Sequence, residues 1–250
     1  KKEELRREIA EESEIVSLRS QLRTLRRKYN EPLKILSLQE RIIEIVADEI
    51  RAWEPIPPPR RKEPEPEEQE ETAIIMLSDL HIDEVVSREE TWELAEYNFD
   101  IFRYRLQYLS DKIYHILFEC MKGYRFPELI ILALGDFVSG IIHEELVETG
   151  TMNIVEQALK GAFVVAQFVR EQAMRFEKVK FLGVSGNHGR LTKEKKYKRR
   201  WADWDRILYE VIGLLLQDQR NIEFHFSKAP FLLFEVHGAR FLMEHGVSLL

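Results

Sequence analysis

Three short apolar runs, each ending in polar residues, constrain this chain more than any other feature. Ala73 to Leu77 ends in Ser78-Asp79, and Leu129 to Leu134 in Gly135-Asp136. Val179 to Val184 ends in Ser185-Gly186-Asn187-His188. Short apolar runs between long amphipathic patterns are read as buried strands. Helical patterns fill 93–121 and 152–175, and a further helix is expected at 201–217. Strands alternating with helices predict an α/β domain. The segments 222–226, 231–236 and 240–245 also read as strands, with a hairpin turn at His237-Gly238.

The domain is expected to begin at Ala73 and run through residue 250. Residues 54–72 precede it as a linker and hold six of the nine prolines, followed by a cluster of glutamates. That composition cannot bury apolar surface and should be extended and solvated. Residues 1–53 predict a helical hairpin. Ile15, Leu18, Leu22, Leu25 and Tyr29 form a short heptad seam, Pro32 breaks it, and Ser37 with Glu40 suits a capping box for the second helix. Such a hairpin packs on itself or on a twin chain, which makes a homodimer through these helices an expectation.

The formal net charge of −7 argues against a protein that coats nucleic acid through its overall charge. One cysteine, Cys120, excludes a disulfide or a cysteine-based zinc site within the chain. A single thiol fits a reducing compartment. No apolar run approaches the roughly 18 residues of a membrane span, and no signal peptide is legible. A cytoplasmic protein without membrane contact is therefore expected.

The polar residues at the strand ends are of metal-binding type, and open α/β sheets bind their ligands at that edge. Asp79-x-His81 offers a carboxylate and an imidazole in one tight loop. Asp136 follows a glycine, Asn187-His188 lies between two glycines, and His245 follows a strand and precedes Gly246. Each pair alone is an ordinary turn. Four of them, in order and at strand ends, point to a metal site.

The series Asp-x-His, Gly-Asp, Gly-Asn-His and His-Gly resembles the calcineurin-like metallophosphoesterases over residues 73–246. The strings Ser-Asp-Leu-His-Ile, Gly-Asp-Phe-Val-Ser-Gly and Gly-Asn-His-Gly-Arg are most similar to a phage and bacterial branch described as DNA repair exonuclease-like. The resemblance implies an αββα sandwich and a hydrolase that attacks phosphodiesters with a hydroxide activated by two metals. It implies that Asp79 and His81 bind the first ion, that Asp136 bridges both, and that Asn187 and His245 bind the second. His188 would serve catalysis beside the phosphate. The mixed oxygen and imidazole set suits two divalent ions, manganese first, with iron or zinc as alternatives. Two departures stand out. Gly189 follows the Gly-Asn-His triplet where the family often has an acid. The family's closing Gly-His-x-His motif is not reached by Leu250, so the domain is expected to be C-terminally incomplete.

His237 and His245 lie too far apart along extended chain for both to reach the metals, and His245 is assigned to them. His143 either lines the cleft or simply starts a helix. Residues 190–200 are strongly basic and followed by Trp201 and Trp204; Arg190, Lys195, Lys196, Arg199 and Arg200 are candidate substrate contacts. A basic, aromatic loop beside the metals would attract phosphates and stack bases, so nucleic acid is the expected substrate. The alternatives are a phosphatase, a small-molecule or cyclic-nucleotide phosphodiesterase, and a non-catalytic scaffold.

Overall fold

The computed structural model describes residues 69–193 and 202–246. The predicted helical hairpin over 1–53, most of the 54–72 linker, and Lys195, Lys196, Arg199 and Arg200 lie outside the described residues.

The fold is mixed α/β. Strands β1 (Gln69–Leu77), β2 (Tyr124–Ala133), β3 (Lys178–Gly183) and β4 (Ile222–Phe226) form one parallel sheet in the order β1-β2-β3-β4. Helix α1 (Phe99–Tyr114) connects the first pair. Helices α2 (Glu144–Thr149) and α3 (Ile154–Arg175) connect the second, and α4 (Trp204–Leu215) the third. Crossovers between parallel strands are right-handed. When each strand is laid beside the last in the same direction, that rule sends all the main helices to one face of the sheet.

The packing follows from this. Leu129, Ile131 and Ala133 of β2 and Val179 and Phe181 of β3 face Phe102 and Leu106 of α1, Ala162 and Val165 of α3, and Leu208 and Ile212 of α4. The alternate residues Ile130, Leu132 and Leu182 point the other way, where helices cannot cover them. An antiparallel hairpin, β5 (Phe231–Val236) and β6 (Ala239–Glu244), covers them instead through Leu232 and Met243. The central strands are thus buried on both faces, which is why they read as unbroken apolar runs. His237 and Gly238 both adopt positive φ, the backbone a two-residue hairpin turn needs.

Two boundaries differ from the sequence expectation. The linker is expected to reach Thr72, but β1 starts at Gln69, because β2 extends back to Tyr124 and pairs with it. Arg125 there bonds both Glu70 and Glu177, giving one of the linker acids a partner in the sheet. The helix expected over 93–121 starts only at Phe99, where Asn98 accepts the Ile101 N–H at 2.9 Å. Its last turn, His115–Cys120, is π-helical. Residues 86–97 form a loop closed by reciprocal Val86–Tyr97 backbone bonds of 2.9 and 3.0 Å. No helix among the described residues is long and apolar enough to cross a membrane.

Candidate metal centre

All four polar loops meet at the C-terminal edge of the sheet, around Asp136. This residue is 2% exposed. Its Oδ1 accepts the backbone N–H groups of Asn187 and His188 at 2.6 and 2.7 Å. Its Oδ2 lies 3.0 Å from His245 Nε2. His245 Nε2 is also 3.2 Å from Asn187 Oδ1, and its Nδ1 is 2.8 Å from the Leu134 carbonyl. That last contact fixes the imidazole with Nε2 turned inward. Asp79 completes one group with Asp136 and His245, and His81 and His188 complete another with Asp136. In each group the ligand atoms lie within 4.8 Å of one another, so Asp/His clusters able to hold a metal ion are present.

Local backbone chemistry explains how they converge. Asp79, His81 and Asp136 all sit at positive φ (54°, 41° and 53°), a region that non-glycine residues rarely occupy. Three strained residues at one sheet edge are characteristic of a functional site. Glycine makes the close approach possible. A Cβ on Gly186 would lie 2.0 Å from Asp136 Oδ1, so only glycine lets the Asn187 loop reach the carboxylate.

His81 presents two faces. Its Nε2 is 3.7 Å from Asp79 Oδ1 and its Nδ1 is 3.6 Å from Glu84. Its ring meets the His188 ring edge-on at 4.5 Å. His188 Nδ1 donates to the Ser139 carbonyl at 3.0 Å, in the tautomer that leaves Nε2 as the acceptor. The geometry therefore groups His188 with His81 and Asp136, whereas the family resemblance keeps His188 off the metals.

Burial works to raise the Asp136 pKa. The His245 hydrogen bond and the His188 N–H outweigh it and hold the carboxylate below its usual range. His245 shows the reciprocal effect: its bond to Asp136, acting against burial, raises it to about 9.

The structure also places the other candidates. His143 sits at the N-cap position of α2 without a side-chain cap bond, and its ring lies 4.9 Å from that of His188. Arg190 turns back on its own loop, its Nε donating to the Asn187 carbonyl at 2.8 Å. That bond braces the loop that carries Asn187 and His188. His237 contacts Thr72 Oγ1 at 3.2 Å, at the far end of β1 from Asp79.

One residue essential to this geometry escapes the sequence reading. Asp205, in the first turn of α4, is fully buried. Its Oδ2 accepts the N–H groups of Asp136 and Gly186 at 2.9 and 3.0 Å, and its Oδ1 that of Phe137 at 2.9 Å. One carboxylate thus ties the Asp136 loop to the Asn187 loop. Burial and the charge of Asp136 push its pKa up. Asp205 also packs closely on Gly189, where an added Cβ would lie 3.1 Å from its Cγ, so an acid does border that position, but it comes from α4. The signal that could have revealed it is an aspartate on the apolar face of α4, three residues before Leu208. A buried acid requires partners.

No family model matches the chain, and no curated protein matches it.

Proposed function

We propose that the chain is a calcineurin-like metallophosphoesterase, a metal-dependent phosphodiester hydrolase acting on nucleic acid. The observation that carries this reading is the convergence of Asp79, His81, Asn187, His188 and His245 on the single buried carboxylate of Asp136. These residues come from separate strand-end loops. A helix layer, a parallel sheet and a hairpin stacked on its other face support the αββα sandwich that the family implies.

The donor set fits two divalent cations: carboxylates from Asp79 and Asp136, imidazoles from His81 and His245, and the Asn187 amide oxygen. Mixed oxygen and nitrogen donors favour manganese, iron or zinc over calcium. When bound, the cations supply Lewis acidity toward the phosphoryl oxygens and a nucleophile from water near neutral pH. Asp136 would serve both cations, since both groups share it. His188, whose Nδ1 is held by the Ser139 carbonyl, would contact the phosphate through Nε2 or pass a proton to the leaving oxygen. The His143 ring lies beside that of His188. The basic segment after His188 supports a polyanionic substrate.

The test is hydrolysis of bis(p-nitrophenyl) phosphate and of single-stranded DNA with Mn²⁺. Cleavage of both, suppressed by EDTA, supports the reading. A chain that takes up Mn²⁺ and cleaves only a phosphomonoester would replace it with a phosphatase. One that takes up no metal and cleaves nothing would be a scaffold.

A further inference from the structure

We propose that the cleft beside Asp79 and His81 is a second phosphate subsite, in which Arg105 holds the backbone phosphate next to the one being cleaved. The proposal deepens the reading of the chain as a nucleic-acid phosphodiesterase and rests on it. The cleft has a volume of about 410 Å³ and is lined by Ser78, Asp79, His81, Glu84, Tyr97 and Arg105, over an apolar floor. It shares Asp79 and His81 with the metal centre, but Asp136, Asn187, His188 and His245 do not line it. A group bound here therefore sits beside the reacting phosphate and does not replace it.

Arg105 differs from the arginines tied up in ion pairs. Arg88, Arg103, Arg125 and Arg206 each pair with a carboxylate. No carboxylate within ion-pair distance of Arg105 is found among the described residues. Its guanidinium lies over the Tyr97 ring instead, 5.1 Å from the centroid. Stacking on an aromatic face leaves the edge of the guanidinium free, and that edge is the part that bonds phosphate oxygens in a bidentate manner. Among the described residues that line the cleft, the only other nitrogen base is His81, and the one additional acid, Glu84, is turned toward His81 Nδ1 at 3.6 Å.

The platform under Arg105 is fixed to the metal loop. The Tyr97 hydroxyl donates to the carbonyl of Leu80, the residue between Asp79 and His81. Burial pushes that hydroxyl up to about 12, so it remains a neutral donor at working pH. Tyr97 is also bonded through its backbone to Val86 at both N–H and carbonyl. Meanwhile Phe102 and Leu106 anchor α1 in the core on either side of Arg105. The cation is thus held at a set place relative to Asp79 and His81. It is complementary to a substrate carrying at least two phosphates in sequence, as an oligonucleotide does.

The experiment measures anisotropy of a fluorescein-labelled phosphorothioate trithymidylate, which resists hydrolysis, in Mn²⁺ buffer. Wild type is compared with Arg105→Ala and Arg105→Lys. Arg105→Ala is expected to weaken binding about tenfold, the usual scale of a charge-assisted hydrogen bond. It should also make log affinity against log salt shallower by about 0.7, the value for a single phosphate no longer neutralised. Arg105→Lys, which keeps the charge and loses the planar fork, should fall between. The proposal is overturned if Arg105→Ala binds like wild type, or if wild type does not bind the probe. The assay is independent of turnover. Arg105-dependent binding without any phosphodiester hydrolysis would keep this subsite and reject the enzymatic reading. Hydrolysis without Arg105-dependent binding would do the reverse.

Discussion

The Asp205 carboxylate accepts the backbone N–H of Asp136 at 2.9 Å, so a helix behind the sheet holds the residue at the heart of the candidate metal centre. Removing that carboxylate leaves several buried N–H groups without a partner. Asp205→Ala is expected to cost roughly 2–4 kcal/mol of stability, at about 1–3 kcal/mol per orphaned donor with partial relaxation. Chemical denaturation measures this. Mn²⁺ affinity should fall as well, because the Asp136 and Asn187 loops lose their common tether. Unchanged affinity would make Asp205 a support of the fold alone.

His188→Ala separates two roles. If His188 acts on substrate and not as a ligand, the variant keeps its metal content while turnover drops about 10²–10⁴-fold, the usual range for acid–base catalysis. Metal analysis beside kinetics reads both. Loss of one ion would assign His188 to the His81–Asp136 group as a ligand, an arrangement the geometry allows.

The His245–Asp136 pair makes the metal-free protein pH-sensitive. The folded-state pKa of His245, about 9, lies above its ordinary value of 6.5. The stability it contributes is therefore fully present below pH 6.5 and lost as pH rises through about 9. In EDTA the melting temperature should fall across that window, and His245→Gln should flatten the profile. Since a metal must displace the His245 proton, Mn²⁺ affinity should rise over the same range.

The order of elements and the metal-type residues are legible in the sequence because apolar runs and turn residues are local signals. His245 lies far along the chain from Asp136. It is found from the sequence only through its place after a strand. Asp205 is not found, since its role depends on the packing of α4 behind two loops. The pairing of β1 as far back as Gln69 is also hidden, because an acidic, proline-rich approach reads as linker until Arg125 is placed opposite Glu70. Arg190 reads from the sequence only as one basic residue among several, and the bond of its Nε to the Asn187 carbonyl becomes visible only once that loop is folded.

On the proposed reading, the basic segment would set the preference for nucleic acid. Replacing Lys195, Lys196, Arg199 and Arg200 with serine should weaken binding of single-stranded DNA. The slope of log affinity against log salt should become shallower by about 0.7 for each phosphate no longer neutralised. The ratio of DNA cleavage to aryl phosphodiester cleavage should drop with it. An unchanged ratio would favour a small phosphoester as substrate.

The most direct test of the metal centre is electron paramagnetic resonance of the Mn²⁺-loaded chain, wild type against Asp136→Asn. An amide in place of the shared carboxylate cannot bridge two cations with the same charge. Wild type is predicted to show the signal of an exchange-coupled manganese pair, and Asp136→Asn to lose that signal while keeping its fold. Isolated-ion signals in the wild type, or a coupled pair that survives in Asp136→Asn, would contradict the account.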